Sequence, residues 1–330
     1  MDLRTHGRRA SAGGLGWLQV VRSLREVPEL AQRNPASTGY TRYRAAQAGR
    51  ESDPGLTGWV ALGEISPYLV CAVLGAEDPT FFLHRGFWWA RMRVAIREAL
   101  RLRRGVRGVS TITQQLARNL YLHPDRSMRR KVQEALITRG LERVLTKERI
   151  LELYLNVVEW GEGTWGIGMA AMEHFSRPAA ELDAFQSVVL ASMLPAPRQP
   201  LRDQNANRAL AAQRRLLIAL YGSGIMSRDE GCQVHARILG LEREIAEGVP
   251  ARDVLLRLGE LSIEPTLQER PEVTIQGVVA AYRDISGRRR GLARLMRNSP
   301  QGWRTPEVPL WWTGEPEQEP ARPGNVSIGA

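Results

Sequence analysis

The sequence predicts a mainly α fold. Three observations carry that expectation. Between residues 62 and 200 apolar residues recur at helical spacing. Several of these stretches open on a helix-start signal, such as Thr111 with Gln114 or Asp183 with Gln186. Alternating apolar–polar runs, which half-buried strands require, are nearly absent. The chain has 330 residues, 43% hydrophobic and 25% charged, enough to bury a sizeable core as one large or two ordinary domains. Lys plus Arg number 46 against 35 Asp plus Glu, a net charge of +11. That surplus suits an anionic partner: nucleic acid, anionic lipid or a phosphorylated substrate. Only Lys131 and Lys147 are lysines. Two distant cysteines, Cys71 and Cys232, exclude a disulfide scaffold and a zinc ribbon. No run of 18 apolar residues is present, so no transmembrane helix is expected. There is no internal repeat and no nucleic-acid motif.

Along the chain, residues 1–56 form a basic, Arg-, Gly- and Ser-rich segment expected to be partly flexible, with 13–21 its most apolar piece. Ser66-Pro67 then starts an apolar helix that ends on Glu77-Asp78. A carboxylate beside such a wall of low dielectric has a raised pKa and suits a general base. Alternatively, Glu77 simply ends a helix and pairs with an arginine. Phe87, Trp88, Trp89 and Met92, beside Arg91 and Arg93, suggest an interfacial belt, and the arginine-dense stretch 97–107 suits anionic headgroups.

Residues 108–122 read as a helix with Thr111 or Ser110 as cap and Ile112, Leu116, Leu120 and Tyr121 as apolar stripe. Its start is expected to offer free N–H groups and a positive dipole end, a natural anion site, with Arg118 and Arg126 nearby in sequence. An ordinary capped amphipathic helix is the plainer alternative. In 127–156, Arg130 and Lys131 lie four and three residues before Glu134, so both cations can reach one carboxylate. A surface salt bridge would use the same spacing. Val132, Leu136, Ile137, Leu141, Val144 and Leu145 supply a core stripe, and Thr146 caps a second helix carrying Ile150, Leu151, Leu153 and Leu155. Gly161, Gly163, Gly166 and Gly168 mark a loop, and Pro195 and Pro197 end the helix that follows Asp183. Residues 201–298 read as a helical extension of unknown role, including 209–220 and 253–261. The 299–330 tail is rich in Pro and Gly and holds Trp311-Trp312, and Arg288-Arg289-Arg290 reads as a solvated face.

Three of these segments together resemble glycosyltransferase family 51, in the branch of monofunctional biosynthetic peptidoglycan transglycosylases. The first motif is filled by Glu77, Asp78, Phe81, His84 and Gly86. The second is filled by Gly108, Ser110, Thr111, Ile112, Thr113, Gln114 and Gln115, and the third by Arg130, Lys131 and Glu134. The resemblance covers residues 57–200, and three motifs in order are far more specific than one. Arg118 stands where the family has lysine, and Val109 where it has a second glycine. The family's N-terminal anchor has no counterpart here. No Ser-x-x-Lys follows, so transpeptidase activity is not expected.

The resemblance implies a lysozyme-like domain with a small membrane-facing lobe. It implies polymerisation of lipid II into β-1,4-linked glycan, with inversion and release of undecaprenyl pyrophosphate. Glu77 would be the base. Glu134, the second catalytic residue, would orient Arg130, Lys131 or a divalent cation. Ser110, Thr111, Gln114, Gln115, Arg118, Arg126, Arg130 and Lys131 would bind substrate. Asp78, Phe81, His84 and Gly86 would support the site, and Phe87, Trp88, Trp89 and Met92 would touch membrane. No cofactor is required, although Mg²⁺ or Mn²⁺ would suit a pyrophosphate leaving group. Expected partners are lipid II, the growing glycan, the membrane surface and other cell-wall synthesis proteins, without nucleic acid. The expected location is peripheral, on the periplasmic face of the inner membrane. The competing readings are a lysozyme-like glycan hydrolase and a catalytically weak scaffold or lipid II-binding protein. Hydrolysis, however, needs no pyrophosphate site.

Overall fold

The computed structural model describes residues 7–53, 55–103, 109–125, 127–198, 203–222, 225–250, 253–255 and 257. All lie in the first of two units, residues 1–287 and 288–330. Gly108, Arg126, Arg288-Arg289-Arg290, Trp311-Trp312, most of the expected 253–261 helix and the 299–330 tail fall outside the described residues.

The core grows from α3 (Pro67–Glu77), where every residue from Tyr68 to Leu74 is buried. Ser66 and Pro67 begin it as the sequence predicts, but the Ser66 hydroxyl donates to the Leu182 carbonyl (2.6 Å) instead of capping the helix. Such all-round burial needs partners on more than one side. One is α9 (Ala184–Met193), itself buried along its whole length and started by the Asp183–Gln186 capping box. Another is α10 (Asp203–Gly222), which packs on both α3 and α9.

Around this pair lies a second group of helices. α5 (Ile112–Tyr121) packs on α6 (Met128–Val144) and α7 (Lys147–Val157). Thr146 caps α7, and Ile150, Leu151, Leu153 and Leu155 are all buried. The stripe expected on α6 is too wide. Ile137, Leu141 and Leu145 are buried, but Val132 and Val144 are 53% and 45% exposed. At 3.6 residues per turn Val132 lies on the far side of the helix from Ile137, and Val144 is its last residue. The glycine-marked loop holds a short antiparallel hairpin, β1 (Glu159–Gly161) with β2 (Thr164–Trp165), followed by α8 (Ile167–Phe175). Strands this short show no alternation, which is why the sequence reads as loop.

The N-terminal segment, expected to be partly flexible, contributes two packed helices. α1 (Gly7–Glu26) lies on α6, with Val20 and Ser23 buried and the Gln19 amide donating to the Tyr121 carbonyl at the end of α5. α2 (Gly39–Gln47) lies on α5. Gly39 permits this approach, since a β-carbon there would stand 3.0 Å from the Tyr121 backbone. At the other end, α11 (Arg228–Ala246) covers α10 and α9, and the Tyr68 hydroxyl donates to Glu230 (2.5 Å) in the interior. α4 (Trp89–Leu102) behaves differently: it buries no residue and stands out as a small lobe after the first motif. The molecule is mainly α and lysozyme-like.

Candidate active site

Glu77 is the last residue of α3, half-buried where that apolar helix meets α5. Its Oε2 accepts from the Gln115 amide (2.6 Å), and the Gln115 carbonyl oxygen accepts from the Tyr154 hydroxyl (3.3 Å). Burial pushes the Glu77 carboxyl above its ordinary 4.5, and Asp78 adds to the rise. Gln115, Arg118 and Arg91 pull in the other direction without cancelling it. Burial, and then Glu77 itself, push the Tyr154 hydroxyl well upward, so Tyr154 stays a donor.

Asp78 is buried and points its charge elsewhere. Both its oxygens lie 3.0 Å from His84 Nε2, and Oδ2 accepts from the Ile112 N–H (3.2 Å). The Thr111 hydroxyl accepts from the Gln114 N–H, and the Gln114 side chain accepts from the Thr111 N–H. The start of α5, expected to be an open anion site, is thus occupied by the protein's own carboxylate and cap. Thr111 and Gln114, expected to touch substrate, are buried in that cap. The Thr111 hydroxyl also donates to the Gly86 carbonyl (2.7 Å), tying the first-motif loop to α5. Gly86 has φ +86°, and a β-carbon there would sit 2.6 Å from the Thr138 methyl, so only glycine fits. Phe81 is buried beneath this loop.

The second carboxylate is Glu134 on α6, only 1% exposed. Arg130 Nη1 donates to its Oε2 (2.7 Å), and Lys131 makes a close ion pair with its Oε1. Lys131 Nζ also lies 3.5 Å from the Ser110 hydroxyl. Glu77 therefore reaches the first turn of α5 through Gln115, and Glu134 reaches Ser110, two residues before that helix, through Lys131. Both Glu134 oxygens are engaged by side-chain cations, so this donor set does not fit a divalent metal. Among the described residues no group of three or more His, Cys, Asp or Glu could hold one. The positive charge that the structure offers comes from Arg118, Arg130 and Lys131, which are all partly exposed, as are Ser110 and Gln115.

Several contributors were not legible in the sequence. Lys147 Nζ lies 2.7 Å from Glu142 Oε1 and 4.3 Å over the Phe81 ring. The same Glu142 oxygen accepts from Thr113 on α5 (2.5 Å). One partly buried ion pair thus braces the first and second motifs together. The scarcity of lysine singles out Lys147, but nothing local points to Phe81. Tyr154 likewise has no local signal, and Arg91, read from the sequence only as a neighbour of the interfacial belt, also acts on Glu77. On the lobe, Phe87 stacks on Trp89 (5.4 Å), Arg91 lies over the Trp88 ring (5.2 Å), and Trp89, Ile96 and Leu100 are exposed. Met92, one turn on from Trp88 and Trp89, is partly exposed.

Comparison with known proteins agrees with this geometry. A family model described as Transglycosylase matches residues 47–220, wider at both ends than the 57–200 of the motif resemblance. A biosynthetic peptidoglycan transglycosylase of Aromatoleum aromaticum is 47% identical over 168 residues, 50% of this chain and 73% of that protein. Proteins described in the same words are 44% identical over 183 residues in an Azoarcus species (55% and 79% covered). In Bordetella pertussis such a protein is 45% identical over 182 residues (53% and 75% covered). The chain belongs to the transglycosylase family and is a glycosyltransferase.

Proposed function

We propose that this chain is a peptidoglycan glycosyltransferase that polymerises lipid II, with Glu77 as its base. The observation that carries the reading is the pairing of a burial-raised carboxyl with a separate cationic cluster along the start of α5. Chain growth needs both. Glu77 takes the proton from an N-acetylglucosamine 4-hydroxyl as its oxygen attacks the anomeric carbon of the other substrate. The bond to pyrophosphate breaks with both electrons leaving on the lipid pyrophosphate, and the new bond forms with inversion. Lys131, Arg130 and Arg118 neutralise the charge that gathers on the departing oxygens, with Arg126 in the same role from outside the described residues. Glu134 holds Arg130 and Lys131 in place, and Ser110 adds a hydroxyl beside Lys131. Gln115 orients the base, while Asp78, Phe81, His84 and Gly86 hold the loop that presents it.

The names of the relatives support peptidoglycan as the product. A hydrolase would have no use for the cationic cluster. Among the described residues no helix is long and apolar enough to cross a membrane. The lobe around Phe87, Trp88, Trp89 and Met92 is the proposed contact with the periplasmic surface of the inner membrane, where a lipid-linked substrate resides. Glycan formation from purified lipid II tests the reading. Wild type is expected to make polymer, and Glu77→Gln to lose roughly 10²–10⁴-fold in rate. Equal rates would remove Glu77 from the mechanism.

A further inference from the structure

A cleft of about 370 Å³, lined by none of the proposed catalytic residues, opens between α2, the β1–β2 hairpin and the chain after α9. It is lined by Tyr40, Arg44, Glu159, Glu162, Pro197 and Arg198. Two oppositely charged pairs face it. Arg44 Nη2 lies 3.5 Å from Glu159 Oε2, and Arg198 makes a close ion pair with Glu162. The inner pair is incompletely satisfied. The Glu159 side chain is only 7% exposed, yet among the described residues it has, besides Arg44, one hydrogen-bond donor, the Gly163 N–H at 3.3 Å. Arg44 Nε is buried with no hydrogen-bond partner among the described residues. The Arg44 guanidinium rests on the Tyr40 ring (5.3 Å), which is braced edge-on by Trp165.

Arg44 is partly exposed and its Nη1 donates to Gln47 (3.0 Å), so the guanidinium keeps spare donors beside a buried carboxylate that is short of them, which leaves room for one further acceptor and one further donor. With two cations and two carboxylates the lining is neutral, so neither a simple anion nor a simple cation gains from its net charge. A molecule carrying both charges meets both. We propose that this cleft binds a zwitterionic peptide, its ammonium group at Glu159 and its carboxylate at Arg44 and Arg198. Burial raises the Glu159 carboxyl, and Arg44 and the Gly163 N–H pull in the other direction.

The cleft lies close to the chemistry. Glu159 is five residues from Tyr154, the partner of Gln115, and five residues span at most about 18 Å. Resting on the function proposed above, the peptide is the one carried by the glycan precursor, and the cleft reads that peptide during transfer.

Calorimetric titration of the full chain with Nα-acetyl-Lys-d-Ala-d-Ala, which has one ammonium and one carboxylate, tests this. The comparison peptides are its Nε-acetylated form and its C-terminal amide. The parent peptide is expected to bind in the millimolar range and each neutralised peptide about tenfold more weakly. Glu159→Gln should erase the penalty for losing the ammonium. Arg198→Gln, at the exposed rim, should reduce the penalty for losing the carboxylate without affecting folding. Equal binding of all three peptides, or none at roughly 10 mM, overturns the proposal. Lipid II polymerisation by the same preparations separates the two readings. Polymer formation without peptide discrimination rejects the cleft and leaves the catalytic assignment standing. Peptide discrimination without polymer keeps the cleft as a zwitterion site and rejects the catalytic assignment.

Discussion

Glu77 and Glu134 are both carboxylates drawn at least partly out of water, and their partners differ in charge. Glu77 has one neutral donor at 2.6 Å, so burial dominates and its pKa rises. As the proposed base it must be ionised, so activity is expected to fall as pH drops through a value above the ordinary 4.5. The acid limb of the pH–rate profile is therefore expected above that of a free glutamate. Stability follows the same linkage. A carboxyl raised on folding contributes stability that is fully present below its unfolded pKa and lost as pH rises through the folded pKa. Glu77→Gln is thus expected to melt higher than wild type at neutral pH, with the gap closing below about pH 4. A lower melting temperature at pH 7 would contradict the burial argument. Glu134, by contrast, is held by two cations. Glu134→Gln removes the buried carboxylate that Arg130 and Lys131 share and leaves Arg130 only its weaker pairing with Asp125, at a cost of about 1.5–3 kcal/mol that denaturant unfolding would register. Both glutamates are legible from motif spacing. The environment of Glu77 is not, because Gln115, 38 residues away, reaches it only in the folded chain.

At the scale of elements, the signals that worked were local ones. The capping boxes at Thr111 and Asp183 and the cap at Thr146 all stand where the sequence places them, since each is closed within four residues. The ligand of α5 was misjudged for the opposite reason: Asp78 comes from another helix and fills the dipole end that looked vacant. α4 remains the unsupported element. Trp89, Ile96 and Leu100 recur on one of its faces, and Leu100 is 76% exposed. Ile96→Ser with Leu100→Ser is expected to weaken sedimentation with phosphatidylglycerol vesicles by at least about tenfold while leaving the melting temperature unchanged. Unaltered vesicle binding would remove this face from the membrane contact.

For the molecule as a whole, the described part of the extension after residue 200 is continuous with the catalytic core. α10 packs on α3, the helix that ends at Glu77, and the α11 residues Val234, Ile238 and Leu241 are buried. We propose that residues 203–246 fold together with the transglycosylase region as a single unit. Leu241→Ala is expected to lower unfolding stability by about 2–5 kcal/mol. It should move one transition monitored by both far-ultraviolet circular dichroism and tryptophan fluorescence, although Leu241 lies beyond the 47–220 family match. Two separable transitions, with only one displaced, would show the extension to be independent.

By itself the sequence determined the helical class, the helix starts, the three motifs and the pairing of Arg130 and Lys131 with Glu134. Each of these is written within one helix turn or one short motif, where spacing alone fixes which residues meet. Only the tertiary structure decided what lies across from them. It set Gln115 on Glu77, Asp78 on α5, Lys147 over Phe81, Glu230 on Tyr68, and Arg44 beside Glu159 in a cleft built from three distant stretches. These contacts depend on how whole helices pack. Packing is decided by the sum of many apolar contacts, which no single spacing in the sequence records.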